Sequence, residues 1–257
     1  MSKIEKYSRS IAKKLKAIAA TGEIGRAPEV FDAFVQSMFN GIANPLLMNS
    51  AILGRFVAVK PGWRMPVKRY KADSAAWHMM SEAARDYEKA VAACPPFSDI
   101  LGAICCEFGD RSLGQFLSPT DLADLVAGIL GAMQARRGDG ERTSICDETG
   151  CGAGGLILAH LRRIYELDGA EGIARLDVFV NDLDSAMVKA CCVQIAMPIY
   201  AKQMKLNSFK ASCCNVLPNA NPSDFNLVYE HTSTKGVSDI GALIDMIRMM
   251  GIAEATR

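Results

Sequence analysis

A chain of 257 residues, half of them hydrophobic, is long enough to bury a substantial core. Its 29 lysines and arginines nearly balance 28 aspartates and glutamates, so no global charge pulls it onto nucleic acid or a membrane surface, and any electrostatic footprint must be local. Nine cysteines, among them the adjacent pairs Cys105-Cys106, Cys191-Cys192 and Cys213-Cys214, with no C-x-x-C spacing and only three histidines, argue against a disulfide frame or a zinc site; they fit the reduced thiols of a cytoplasmic protein with no metal.

The N-terminal run "MSKIEKYSRSIAKKLKAIAA" is basic and amphipathic. It lacks the apolar stretch of a signal peptide or a bilayer span, so it reads as a surface helix, with no membrane partner expected. Residues 1–100 read as a mainly helical N-terminal domain, with apolar residues at helical spacing over Pro28–Leu47 and again over Ser74–Cys94. Between those helices, Gly54–Lys71 carries Arg55, Lys60, Arg64, Lys68, Arg69 and Lys71 with no acid, interleaved with Phe56, Trp63 and Tyr70. Such a run suits phosphate contacts and stacking on bases, and it also fits a plain solvated face.

From residue 101 to 257 the pattern changes to strands alternating with helices, which implies a parallel sheet with helices on its faces. Arg142–Glu148 is the first strand, followed by a glycine-rich turn and the helix "GLILAHLRRIYEL". Ala174–Asp184 is the second strand, ending in acids, and the helix "SAMVKACCVQIAM" follows. Ser208–Leu217 and Ser223–His231 read as third and fourth strands, and "VSDIGALIDMIRMMGI" as one more helix.

The turn places Gly150, Gly152 and Gly154 at the carboxyl end of the first strand, where side chains would collide with a ligand approaching the backbone. Asp182, at the end of the next strand, is positioned to accept hydrogen bonds from ribose hydroxyls, while Asp184 suits a helix cap. The spacing is not that of a dinucleotide turn, and no Gly-Lys-Ser or Gly-Lys-Thr is present for a phosphate loop. A ligand with a ribose and no pyrophosphate fits better, and S-adenosyl-L-methionine is one.

The motifs themselves resemble a known family. "GQFLSPTDLADLV" (114–126) resembles the G-Q-F/Y-F-T-P motif of the N6-adenine DNA methyltransferases, the class of the modification subunits of type I restriction systems. "ETGCGAGGL" (148–156) resembles their D-P-A-C-G-S-G-G loop, with Thr149 where the family has proline. "VNDLDSAMVKACCVQIAM" (180–197) is similar to their Q-D-I-D-P motif and the helix after it, and "SCCNVL" (212–217) to their G-D/N-S/T-L motif. All four stand in the family's order. The resemblance implies an α/β fold with a Rossmann-like methyltransferase sheet in reduced form, S-adenosyl-L-methionine as cofactor, and DNA as partner. It implies that Phe116, Ser118 and Pro119 border the methionine end of the cofactor. Glu148, Gly150, Gly152 and Gly154 would lie beneath it, Asp182 on the ribose and Asn215 at the adenine amino group.

The catalytic N/D-P-P-Y/F motif of that family should follow the fourth strand, and here "FNLVYEH" continues into "TSTKG" with no Pro-Pro and no aromatic. In its place Glu230 and His231 are the candidate groups near an acceptor, against the alternative of a solvated strand end. Two functions follow as expectations: a DNA adenine N6-methyltransferase of reduced form, or a catalytically deficient cofactor- and DNA-binding protein that regulates or counters a restriction-modification system. Methylation of a different acceptor is a third. An open sheet edge calls for a second copy or a partner subunit to cover it.

Overall fold

The computed structural model of the chain describes residues 2–44, 56–65, 74–108, 118–134, 143–147, 150–216 and 227–232. These form an α/β fold of seven helices and one mixed five-stranded sheet. In chain order the elements are α1 (Lys3–Thr21), α2 (Ala27–Ile42), β1 (Phe56–Val59), α3 (Ala75–Ala93), α4 (Gly102–Phe108), α5 (Thr120–Gln134), β2 (Thr143–Asp147), α6 (Gly155–Ala174), β3 (Leu176–Asp182), α7 (Ser185–Ala201), β4 (Ser208–Cys213) and β5 (Leu227–Thr232). The last helix expected from the sequence, "VSDIGALIDMIRMMGI", lies outside the described residues.

Local chemistry starts the helices where the sequence suggests. Ser2 and Glu5 close a capping box on α1: the Ser2 hydroxyl accepts from the Glu5 amide at 3.1 Å, and the Glu5 carboxylate from the Ser2 amide at 2.8 Å. Pro28 opens α2, Ser74 caps α3, and Asp184 caps α7 by accepting from the Ala186 amide at 2.8 Å.

Helix α7 is the hub. It is buried on nearly every side, from Met187 to Ile199, as a helix apolar all round must be. One flank packs on β3 and β4 and another on α2, whose Phe31, Phe34, Val35 and Phe39 are fully buried, while α1 and α3 pack together beyond. The core is therefore continuous across position 100, running from Ile11 and Leu15 through Phe34 and Val193 to Phe209 and Tyr229. Helix α5 packs on α6 through the small residues Ala123, Ala127 and Ala159.

The sheet order is β1-β5-β4-β3-β2. Strands β2, β3 and β4 are parallel, as their alternation with helices predicts. Two expectations are corrected. The fourth strand of the sequence pattern, β5, runs antiparallel to β4, with Phe209 opposite His231 and Ala211 opposite Tyr229. A parallel return needs a crossover of a dozen or more residues, usually a helix. The connection here carries Pro218 and Pro222, with no helical period to build one. The second correction lies in the basic segment of the helical half: its β-branched run forms β1, which pairs antiparallel with β5, Val57 opposite His231. Among the described residues β2 ends the sheet on the other side.

Candidate functional site

Strands β2, β3 and β4 end together, and polar residues collect at those carboxyl ends. The glycine turn is held to β3 by two bonds. The Cys151 amide donates to the Asn181 carbonyl at 2.8 Å, and the Gly152 amide to Asp182 Oδ2 at 2.8 Å. Asp182 Oδ1 accepts from the Asp184 amide at 2.9 Å, so this carboxylate, 9% exposed, fixes both the turn and the entry to α7. Gly154 has φ +100, a left-handed conformation, and a Cβ there would lie 3.0 Å from Cys191 Sγ. Only glycine meets both conditions without strain.

Asn181 ties β3 to the end of β4. Its Oδ1 accepts from Ser212 Oγ at 2.6 Å and the Cys214 amide at 3.2 Å, and its Nδ2 donates to the Cys214 carbonyl at 3.0 Å. Asn215, exposed, follows directly. Cys213 stands opposite Asp182 in the ladder, and burial, then the charges of Asp182 and Asp184, push its thiol up to about 11. It stays protonated at neutral pH.

Beneath the turn lies a network that reading the sequence missed. Gln194, 1% exposed on α7, accepts from the Ile100 and Leu101 amides at 2.8 and 3.0 Å through Oε1. Its Nε2 donates to the Ala153 carbonyl at 2.9 Å and to Asp99 Oδ1 at 2.8 Å. The signal was available: Gln194 is a lone amide inside an otherwise apolar helix, which a buried position must satisfy. Leu183 was missed as well. It is 70% exposed beside Asp182, an apolar surface at the mouth of a polar site.

The predicted residues divide accordingly. Gly150, Gly152, Gly154, Asp182 and Asn215 gather at one end of the sheet, and Ser118 joins them, since a Cβ on Gly155 would lie 3.9 Å from its carbonyl oxygen. Pro119 is exposed at the start of α5. Strand β1 runs toward this same end, so its following turn brings Lys60, Trp63 and Arg64 there too, with Lys60 and Arg64 exposed. Trp63 is half-buried: its ring packs edge-on against Phe39 at 6.3 Å, and the Lys189 ammonium lies 5.0 Å from its centroid. Burial draws the Lys189 ammonium below its ordinary value, against the opposing pull of Asp32, Cys213 and Asp184.

Glu230 and His231 lie apart from these residues. Because β5 is antiparallel, Glu230 is level with Lys210 and through it with Phe179, two strands from Asp182 and three residues short of it, roughly 10 Å along the strand. Glu230 pairs with Lys210 at 3.4 Å, and His231 is 2% exposed in the core. Phe116, Glu148, Arg55, Lys68 and Arg69 lie outside the described residues.

A cleft of about 280 Å³ opens away from this end, between α5 and α6, lined by Asp124, Ala127, Gly128, Ala159, Arg162 and Glu166 among others. Arg162 and Asp124 close an ion pair across it, so its charge is internally balanced. No protein-family model, curated protein or solved structure matches the chain.

Proposed function

We propose that the chain binds S-adenosyl-L-methionine across the carboxyl ends of β2, β3 and β4, as the cofactor-binding part of an adenine-N6 DNA methylation or restriction-modification system. The observation that carries the reading is Asp182. An acid at the end of the middle parallel strand, hydrogen-bonded to the glycine turn that opens the neighbouring helix, is the arrangement that receives a ribose in sheets of this kind. Each Asp182 oxygen keeps a second lone-pair direction for a hydroxyl. Leu183 offers an apolar face to a purine, and Asn215 an amide to its edge. Lys60 and Arg64, exposed at the same end, suit the phosphates of DNA approaching that site.

Methyl transfer needs an acceptor that holds the adenine amino group against the sulfonium methyl, because the cofactor carries the reactive carbon and the protein supplies position. Glu230 and His231 point to no such role from their level on the sheet, which favours the catalytically deficient member of the two expectations. The order of the four motifs favours the other, an active methyltransferase with an unfamiliar acceptor site.

Calorimetric titration with S-adenosyl-L-methionine, followed by tritiated methyl transfer to unmethylated DNA, separates them. The expected result is binding without transfer, and a loss of roughly tenfold or more in affinity on Asp182→Ala. Binding with transfer makes the chain an enzyme. Absence of binding overturns the cofactor reading altogether.

A further inference from the structure

Helix α5 is built inside out. Its small residues Ala123 and Ala127 are the ones that face the protein, against Ala159 of α6, whereas its large apolar residues face water: Leu122, Leu125, Ile129 and Leu130 are 49, 61, 55 and 43% exposed. Among the described elements only α6 packs on it extensively. A seam of alanines withdraws little apolar surface from water, and a fifteen-residue helix draws most of its stability from packing, so the inward face alone holds α5 weakly. The ion pair of Arg162 with Asp124 marks the polar flank of the α5–α6 pair. On α6, Leu156 and Leu167 stand about a third of a turn round the helix from Arg162. Both are exposed, and they extend the apolar surface onto that helix. At these exposures the six side chains present roughly 500 Å² of apolar surface, near the upper end of what a monomer leaves contiguous.

We propose that the outer face of α5, with Leu156 and Leu167 beside it, is the contact surface between two copies of this chain. Two such faces brought together bury about 1,000 Å² before any rim is counted, which reaches the area at which specific association begins. A second copy also fits the chemistry. From Leu125 to Leu130 the helix carries no charge, and an uncharged apolar face is its own complement, as an interface that repeats the same patch on both partners requires. The acids of α5, Asp121 and Asp124, both lie toward its start. A two-fold axis crossing the helix near Val126 runs the two copies of α5 in opposite directions and keeps those acids at opposite ends of the seam. The proposal stands without the cofactor reading, but it bears on the same region. Helix α5 begins after Ser118 and Pro119, with the Ser118 carbonyl beside Gly155, so pairing steadies an element that borders the glycine turn.

Sedimentation velocity of the full chain over a micromolar concentration range tests it. The wild-type chain is expected to be a reversible dimer, with a melting temperature that rises with protein concentration. Leu122→Glu and Ile129→Glu each place a good helix former at an exposed position. Both variants are expected to sediment as monomers with unchanged helix content by circular dichroism, and to melt independently of concentration. Ile129→Ala adds no charge and is expected to weaken the dimer by about tenfold or more, which decides the matter even if a glutamate variant fails to fold. Leu183→Glu, at an exposed leucine outside α5 and α6, is expected to leave the dimer intact. A wild-type chain that stays monomeric throughout overturns the proposal and assigns the face to another part of the chain or to a different protein. A dimer undiminished by the substitutions in α5, or one lost equally in Leu183→Glu, overturns it as well.

Discussion

The two ends of the sheet are built differently. At the carboxyl end of the parallel strands, polar groups are buried and joined across elements far apart in sequence: Asp182 to Gly152, Asn181 to Cys214, Gln194 to Asp99 and Ala153. Toward the opposite end the polar contacts are only part-buried: Asn207 and Ser208 both donate to Asp177 across the neighbouring strand, and midway along the sheet the Lys210–Glu230 pair keeps both side chains partly in water. Buried polar networks are costly unless every member is satisfied, so they persist where a fold must hold a geometry. The contrast separates residues that shape a site from residues that merely finish a strand, although both looked alike as acids and amides in the sequence.

That contrast can be broken most severely at Gln194. Gln194→Ala removes four hydrogen bonds and strands the Ile100 and Leu101 amides in the interior; a loss of roughly 3 kcal/mol in urea unfolding is expected. A loss below about 1 kcal/mol would mean that the two ends are less different than their bonds suggest. Gly154→Ala comes next. The left-handed φ and the closeness of Cys191 Sγ together are expected to cost about 2 kcal/mol, and to weaken the cofactor as the turn shifts. Smallest is Glu230→Ala, which should change stability by less than about 1 kcal/mol and leave cofactor affinity unaltered. If that variant loses cofactor affinity, the far end of the sheet takes part in the site and the comparison falls.

Much of this was legible. The strands β2 and β3, the turn between them and the capping role of Asp184 follow from periodicity and glycine placement, signals that act over a few residues. The direction of β5 was not, because it depends on whether the preceding connection can cross the sheet, and hydrophobic alternation is the same in either direction. Strand β1 was hidden by its surroundings, four residues inside a basic run whose charge suggested nucleic-acid contact or a solvated face. The contacts of Trp63 with Phe39 and Lys189 were not legible either, since both partners lie far from it in the chain. Asp99 gave only the local sign of a helix cap, through the Gly102 amide, and its bond to Gln194 comes from a residue far away in the chain.

Helix α7 has a consequence for how the protein is made. It is buried on the sheet side and on the α2 side, yet α2 leaves the ribosome long before α7 is translated. Until then the face of α2 that meets α7 lacks its cover, although Phe31 can already meet Phe108 and Phe39 the ring of Trp63. Completing the core therefore depends on contacts of long sequence separation between α2 and α7, the class of contact that forms slowly.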